Sequence, residues 1–332
     1  MVGAYLYYVI IPKERRTERK GDRMGERFTA QQIEAWGRDG GVLIGDFFTR
    51  EEMHAIEEDL GHVFAGCGRG PGIGTARNEK TPGAIGGFFP GQLKNLRDFP
   101  FECSPALNLI VLHPALIAFA QAALDAPDVC LYQAQAWAKY TGEADYDQPF
   151  HCDYTNHTLT VPAEDVGRGA VNFMIYLSDV SPAHGPIHFV PLPMSDPVAP
   201  ECEILPDAAA QKALLRHEVA AVGRAGAVFA YRIDVYHRGT NLTARGGHRY
   251  ALMVSYKAAG NDAVGHQAWP SSFARPWRLI FENATPDQLA CVGIPRPGDP
   301  FWTARTIARA QARWPGWDMS AYRAALPSSG SR

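Results

Sequence analysis

The chain has 332 residues, of which 46% are hydrophobic and 20% are charged, and its formal net charge is −3. These values are typical of a globular protein with a substantial core. They exclude the strongly basic composition that nucleic-acid-binding proteins usually have, so no nucleic-acid partner is expected. The six cysteines form no Cys-x-x-Cys pair, which argues against a zinc ribbon or a redox dithiol. We therefore predict a cytoplasmic protein with reduced thiols.

The first part of the chain, residues 1–25, is predicted to be a disordered extension. Its apolar run, residues 4–12, has nine residues, whereas a membrane-spanning helix needs about 20. Positive charges follow this run, whereas they precede the apolar run of a secretory signal. We therefore expect no membrane partner, a single domain over residues 26–294, and a C-terminal segment, residues 295–332, that wraps around the same domain.

Helices are predicted next, because two segments open with a capping box, in which a threonine is followed three residues later by Gln or Glu. These segments are residues 29–39, capped by Thr29, and residues 49–64, capped by Thr49. A glycine-rich segment, residues 66–91, lacks the preceding strand and following helix of a phosphate-binding loop, and a mobile loop over a site is the favoured interpretation. Residues 104–124 are again predicted to be helical, with an interruption near Pro114.

From residue 129 onward the apolar pattern changes to the alternation that is typical of β-strands. Strands are predicted at 42–48 and, after residue 129, at 131–140, 159–161, 170–177, 187–190, 216–222, 227–231 and 249–257. Many short strands after a helical preface predict a mainly β fold with flanking helices, whose core is a double-stranded β-helix, a jelly roll of the cupin type. A last helix is predicted at 303–313 in the C-terminal segment.

A candidate metal site begins at His151, which is the one histidine of eleven that is followed two positions later by aspartate, Asp153. Side chains at positions i and i+2 of a strand point to the same side, so one short edge strand could offer both ligands to one metal. The predicted third ligand is His237, which follows the predicted strand 227–231. Two histidines and one carboxylate form a facial triad with open positions, which is typical of non-haem iron(II) oxygenases.

An anchor for a co-substrate is the next requirement. If the co-substrate is 2-oxoglutarate, its distal carboxylate needs a cation, and arginine can bind a carboxylate with two hydrogen bonds. Arg249 opens the apolar strand 249–257 and is the predicted anchor, with Arg245 as the second choice. The alternative interpretation of Arg249 is an arginine at a strand end that faces solvent.

On these residues the chain resembles the phytanoyl-CoA dioxygenase family of iron(II)/2-oxoglutarate-dependent oxygenases, from about residue 28 to residue 257. The resemblance is carried by the opening helix and turn that end in GGVLIGDFF at Phe48, by His151 and Asp153, by VNFMIYLSDV from Val171, by GPIHFVP from Gly185, and by the closing set His237, Asn241 and Arg249. The chain departs from the family's usual His-Gly-Ser in the closing set, because Arg238-Gly239-Thr240 stands there instead.

The resemblance implies an enzyme that binds Fe(II), 2-oxoglutarate and dioxygen. Such an enzyme would hydroxylate or otherwise oxidise an unactivated C–H bond of a small-molecule substrate, while 2-oxoglutarate becomes succinate and CO₂. The implied iron ligands are His151, Asp153 and His237, and the residues implied to bind 2-oxoglutarate or substrate are Gln135, Lys139, Thr240 and Arg249. Because related halogenases lack the carboxylate ligand, Asp153 argues against halogenation. The substrate and the oligomeric state, monomer or homodimer, stay open.

Two alternatives from other functional classes also stay open. One is a catalytically silent jelly-roll protein that binds a metal or a small molecule. The other is a zinc hydrolase, because His₂-carboxylate sites also hold zinc. Glu143 and Asp147 are then candidates for the general base, although neither lies in a His-Glu-x-x-His motif. His157 follows the ligand pair, and we expect it to line the pocket without acting as a fourth ligand.

Overall fold

A computed structural model describes residues 27–67, 95–142, 147–157, 165–199, 205–264 and 276–327. Three of the predicted segments lie outside the described residues, wholly or for the most part: the extension 1–25, the glycine-rich segment 66–91 and the strand 159–161. The remaining predicted helices and strands lie within the described residues.

The helices precede, connect and follow the strands along the chain. They are α1 Ala30–Asp39, α2 Arg50–His54, α3 Glu57–Val63, α4 Pro105–Ile110, α5 Pro114–Ala123, α6 Tyr154–His157, α7 Leu192–Ser195, α8 Ala208–Leu214, α9 Arg278–Phe281, α10 Pro286–Ala290, α11 Ala304–Arg313 and α12 Ser320–Ala324. Both predicted capping boxes are present, with Thr29 before α1 and Thr49 before α2. The single helix predicted at 49–64 is wrong, because the N–H of Ile56 bonds to the carbonyl of Met53 and this tighter turn separates α2 from α3.

The strands form two antiparallel sheets. The strands are β1 Gly41–Ile44, β2 Leu96–Asp98, β3 Val129–Tyr140, β4 Ala170–Tyr176, β5 Ile187–Phe189, β6 Val219–Ala221, β7 Val228–Arg232, β8 His237–Gly239 and β9 His248–Ala258. The major sheet has the order β1-β7-β4-β9-β3-β2, and the minor sheet has the order β6-β5-β8. The jelly-roll prediction is therefore confirmed. The strand predicted at 216–222 begins only at Val219, because the turn after α8 continues through His217.

The two faces of the major sheet bury different clusters of side chains. Alternate residues of its strands point to opposite faces. The outer face packs against the helices, and among its residues are Ala134, Phe173, Val228 and Leu252, with Phe119 of α5 and Trp317 and Tyr322 near the C-terminus. The inner face, which includes Met174, Tyr176 and Phe229, packs against Ile187 and Phe189 of the minor sheet. The C-terminal segment therefore shares the outer core, and the space between the sheets belongs to the inner face.

One stretch, Pro105–Ala123, is long and apolar enough to cross a membrane by length and composition. It consists of α4 and α5, and half of it is buried inside the fold. Leu107, Leu112 and Phe119 are completely buried in the outer core. Packing in the core accounts for the apolar composition of this stretch.

Candidate metal centre and co-substrate site

The two candidate histidine ligands are held side by side by their backbones. His151 and His237 form an isolated antiparallel bridge, in which each N–H donates to the other residue's carbonyl oxygen at 3.0 Å. Their ring centroids are consequently 4.5 Å apart. The expectation that a strand carries both His151 and Asp153 is wrong, since only His151 is paired and Asp153 lies in the turn before α6. The turn nevertheless brings the carboxylate to the two rings.

The three predicted ligands meet in a buried cluster. One ligand atom each from His151, Asp153 and His237 lies within 4.8 Å of the others. The Nε2 atom of His151 is 3.8 Å from Oδ1 of Asp153, and Nε2 of His237 is 3.5 Å from Oδ2. The spacing suits a metal ion between the three side chains. Cys152 takes no part, because its thiol contacts the carbonyl oxygen of Asp234 at 3.3 Å.

Backbone carbonyls set the tautomer of both histidines. Nδ1 of His151 is 3.0 Å from the carbonyl oxygen of Pro149, and Nδ1 of His237 is 3.1 Å from that of Val235. A carbonyl oxygen only accepts, so each Nδ1 carries the proton and each Nε2 keeps its lone pair. A hydrogen bond at the far nitrogen is the usual way in which proteins orient a histidine that binds a metal.

Burial and the charges of neighbouring groups shift the pKa values of the cluster in a way that suits a cation. Burial, followed by the charge of His237, lowers the pKa of His151 to about 4. Burial alone would raise the pKa of Asp153, but the nearby histidines and a hydrogen bond from Tyr231 hold it below its usual value. Near neutral pH the site therefore offers an uncharged His151 imidazole and an ionised carboxylate, the protonation states that metal binding requires.

Two residues of the major sheet, Asn172 of β4 and Tyr231 of β7, hold the carboxylate of Asp153. Nδ2 of Asn172 donates to Oδ2 at 3.1 Å, and the hydroxyl of Tyr231 donates to the same oxygen at 3.2 Å. The two residues are register partners. Our interpretation of the sequence missed both, although one polar residue inside the apolar strand Ala170–Tyr176 was a signal.

A second buried pair lies close to the ligands. Nδ1 of His157 is 2.5 Å from the hydroxyl of Tyr132, and burial lowers the pKa of His157. Among the described residues His157 is outside the group that could hold a metal. That His157 lines the pocket stays a prediction.

Two buried cations face each other across β3 and β9. Lys139 and Arg249 are register partners, and they are only 4% and 2% exposed. Nζ of Lys139 donates to the carbonyl oxygen of Thr240 at 3.0 Å, and Arg249 donates to the carbonyl oxygen of Gly185. Burial, followed by the charge of Arg249, lowers the pKa of Lys139 well below its usual value. The solvent-facing interpretation of Arg249 is wrong, and it is Arg245 that is exposed.

The other predicted co-substrate residues already have partners in the protein. Nε2 of Gln135 donates to Oδ1 of Asp98 at 2.9 Å, and its Oε1 accepts from Gln133 at 3.1 Å. The hydroxyl of Thr240 donates to the carbonyl oxygen of Pro186 at 2.7 Å. The Thr240 oxygen can still accept a hydrogen bond, and each end of the Gln135 amide keeps one further hydrogen-bonding site.

Trp137 lies on β3 between Gln135 and Lys139. Its register partner is Ala251, which belongs to the inner cluster, so its ring is on the inner side of the major sheet. The indole Nε1 is buried and has no hydrogen-bond partner among the residues that the structure describes. Buried donors are nearly always paired, and this one lies beside the two cations, where an anionic ligand would supply the acceptor.

The backbone of Gly239 lies close to the side chain of Gln148, between the candidate metal ligands and the two basic residues. The N–H of Gly239 in β8 donates to Oε1 of Gln148 at 2.7 Å. A Cβ atom at Gly239 would lie 2.7 Å from that same oxygen and 3.8 Å from Nζ of Lys139. A side chain at this position would therefore force the amide of Gln148 to move and would weaken its hydrogen bond with the Gly239 N–H.

One protein family and several solved structures are similar to this chain. The family model for phytanoyl-CoA dioxygenase matches residues 36–251. A comparison with curated protein sequences finds no match. Among solved structures, the carbocyclase SnoK from nogalamycin biosynthesis, described as non-heme and alpha ketoglutarate dependent, is 19% identical, with a TM-score of 0.48 over 70% of this chain and 85% of its own.

Two further structures are similar to a comparable degree. EctD from S. alaskensis, crystallised with bound Fe, is 19% identical, with a TM-score of 0.49 over 73% of this chain and 81% of its own. AviO1 from Streptomyces viridochromogenes Tue57 is 19% identical, with a TM-score of 0.46 over 72% of this chain and 97% of its own. Because the family model spans more than half of the residues, the chain belongs to the phytanoyl-CoA dioxygenase family and is an enzyme of the iron(II)/2-oxoglutarate-dependent oxygenase class.

Proposed function

We propose that this protein oxidises an unactivated C–H bond of a small molecule, most simply by hydroxylation, with Fe(II), 2-oxoglutarate and dioxygen. The observation that carries the proposal is the buried cluster of His151, Asp153 and His237, whose ligand atoms lie within 4.8 Å of one another. Both histidines direct Nε2 toward the carboxylate, which suits a single metal ion. Family membership supports the same reaction class.

The donor set fits iron(II). Two imidazole nitrogens and one carboxylate oxygen supply three ligands and leave three positions of an octahedral ion open. The thiol of Cys152, the residue between the first two ligands, is bonded to a backbone carbonyl and does not compete. The three open positions would allow a co-substrate and dioxygen to bind to the same ion.

The region around Lys139 and Arg249 fits the distal carboxylate of 2-oxoglutarate. Arginine offers two parallel N–H groups to a carboxylate and lysine adds a point charge. Nε1 of Trp137 offers a further donor on the same side of the sheet. The hydroxyl oxygen of Thr240, directly after β8, lies next to the lysine contact. A carboxylate bound here would lie against both basic side chains, Lys139 and Arg249.

The residues of this chain orient the metal ligands and exclude water from the site. The carbonyls of Pro149 and Val235 keep both imidazoles in the tautomer that can bind a metal. Asn172 and Tyr231 hold the carboxylate, and the ligands are buried between the sheets. When bound, Fe(II) and 2-oxoglutarate together activate dioxygen for hydrogen removal from a C–H bond, with succinate and CO₂ as co-products. A buried site limits side reactions of the activated oxidant with water.

An anaerobic titration tests the proposal. Addition of 2-oxoglutarate to the Fe(II)-loaded protein should produce a metal-to-ligand charge-transfer absorption, and oxygen should then yield succinate. His151→Ala should abolish both signals. His54→Ala is the matched control, since this histidine lies on α2 with a side chain that is 83% exposed. Full charge-transfer absorption in the His151→Ala variant would contradict the ligand assignment.

The same titration separates the two alternatives. A silent binding protein would bind the metal yet form no succinate with any substrate candidate. A zinc hydrolase needs a general base beside the metal, and Asp147 is occupied at its Oδ1 by the N–H of Asn241 at 2.8 Å. Glu143 lies outside the described residues. Nothing observed in the described part of the chain favours hydrolysis over oxidation.

A further inference from the structure

The two oxygens of the Asp153 carboxylate differ in their hydrogen bonds. Its Oδ2 accepts two hydrogen bonds, from Asn172 at 3.1 Å and from Tyr231 at 3.2 Å. A carboxylate oxygen has two lone-pair sites, so these two donors occupy both sites of Oδ2. No hydrogen bond to Oδ1 is found in the described part of the chain. The two oxygens of Asp153 are therefore chemically different before any metal arrives.

We infer that Asn172 and Tyr231 are positioning residues that make Asp153 bind the iron through Oδ1 alone. The inference rests on the proposed function, since it assumes that Fe(II) occupies the cluster. A carboxylate that bound through both oxygens would fill four of six positions together with His151 and His237. Only two positions would then remain, although a chelating co-substrate needs two and dioxygen needs one. Single-oxygen binding by Asp153 keeps the third position open.

The surroundings of Asn172 support a role beyond the stability of the fold. The residue is completely buried in β4, between the apolar neighbours Val171 and Phe173. Its Oδ1 atom has no hydrogen-bond partner within the described ranges of the chain, and a buried polar atom without a partner is destabilising. An apolar residue of similar size would fit this strand without that penalty, so the contact of Nδ2 with Asp153 is what the asparagine contributes.

The ring of Tyr231 has packing contacts that do not depend on its hydroxyl group. Its ring stacks on Phe229 with centroids 5.1 Å apart and contacts the ring of His237 at 4.9 Å. Phenylalanine would preserve both ring contacts and remove the hydroxyl, which donates to Asp153 and also contacts Sδ of Met253 at 3.8 Å. Tyr231→Phe and Asn172→Leu are thus variants that keep size and delete the hydrogen bond.

Tyr256→Phe is the matched control. Tyr256 is also completely buried and lies on β9 in the outer core, where its hydroxyl donates to the carbonyl of Val111 at 2.6 Å. This substitution removes a buried hydroxyl from the same fold without touching the metal ligands. Any loss caused by a missing buried hydrogen bond in general should appear in this control as well.

The experiment measures Fe(II) binding and carboxylate coordination without turnover. Anaerobic Fe(II) titrations should give a Kd about tenfold higher for Tyr231→Phe and up to about 100-fold higher for the double variant with Asn172→Leu, as is typical when partners of metal ligands are lost. Tyr256→Phe should keep the wild-type Kd. Infrared difference spectra with ¹³C-labelled aspartate should show widely separated carboxylate stretches in the wild type and a narrower separation in the double variant.

The possible failures are distinct. If wild-type protein binds no Fe(II), the proposed function is overturned. If wild-type protein binds Fe(II) and both the Kd and the carboxylate stretches of the double variant are unchanged, the positioning role of Asn172 and Tyr231 is overturned while the proposed function stands. Tyr231→Phe alone preserves the packing of the ring, so it decides between these outcomes even if Asn172→Leu does not fold.

Discussion

Replacement of Lys139 by methionine removes one of the two buried cations and keeps a side chain of similar length. In the proposed complex, Lys139 and Arg249 share the distal carboxylate of 2-oxoglutarate. A hydrogen bond to a charged group contributes about 1.5–3 kcal/mol, and each 1.4 kcal/mol changes a dissociation constant tenfold. The Kd of the Fe(II)-loaded protein for 2-oxoglutarate should therefore rise roughly 10- to 150-fold in Lys139→Met.

The assay is anaerobic titration of 2-oxoglutarate, followed by the charge-transfer absorption and by calorimetry. Lys257→Met is the matched control, because Lys257 is a second buried lysine of the major sheet whose Nζ donates to the carbonyls of Asn261 and Val264, both at 2.7 Å. It lies at the opposite end of β9 from Arg249. Its loss should leave the Kd for 2-oxoglutarate unchanged.

Proton uptake gives an independent readout of the same contact. Burial, followed by Arg249, lowers the pKa of Lys139 in the free protein, and a bound carboxylate should raise it again. Between those two pKa values the complex holds one more proton than the free protein, so binding takes up a proton and weakens as pH rises through the pKa of the complex. Calorimetry in buffers of different ionisation enthalpy measures this uptake. Equal proton uptake by wild type and Lys139→Met, with equal Kd values, would refute the reasoning.

Three further outcomes are expected. Arg249→Leu should raise the Kd for 2-oxoglutarate by about 100-fold or more through loss of two charge-assisted hydrogen bonds, whereas Arg245→Leu should not change it in the same titration. The pKa of His151 falls from about 6.5 in the unfolded chain to about 4 in the fold. Stability from this group is therefore present above pH 6.5 and lost toward pH 4, on the order of 3 kcal/mol. Urea unfolding of the metal-free protein should show that His151→Gln loses less free energy of unfolding than the wild type as the pH falls toward 4. Gly239→Ala, whose methyl group would lie 2.7 Å from Oε1 of Gln148, should raise the Kd for 2-oxoglutarate several-fold. Gly246→Ala is the control and should leave this Kd unchanged.

Periodicity and capping predicted most of the framework because they are local properties. The threonine caps of α1 and α2 and the alternation along β3 each depend on residues within a few positions of one another. The same local information failed at Ile56, where the choice between one helix and two depends on a single backbone hydrogen bond. It failed again at Asp153, because a one-residue bridge followed by a turn has no periodic signature.

The candidate site could be predicted as a set of residues but not as an arrangement. Alternation places Gln135 and Lys139 on the same face of β3, yet it does not say which residues of β9 lie opposite. That register depends on the whole sheet and includes a bulge between Leu131 and Gln133. The pairing of Lys139 with Arg249 therefore emerged only from the fold, and so did the contact between Asn172 and Asp153.

The short strand β8 joins the two halves of the candidate site. It begins at His237, a proposed metal ligand, and the residue after its end is Thr240, whose carbonyl oxygen accepts a hydrogen bond from Nζ of Lys139 at 3.0 Å. Three residues of extended chain span roughly 10 Å, which is the scale of a metal ion and a five-carbon dicarboxylate laid end to end. The bridge from His237 to His151 fixes one end, and the bond from Gly239 to Gln148 holds the middle. Backbone pairing therefore sets the spacing between His237 and the two basic residues. Under the proposed function, this spacing selects the length of the anion that binds.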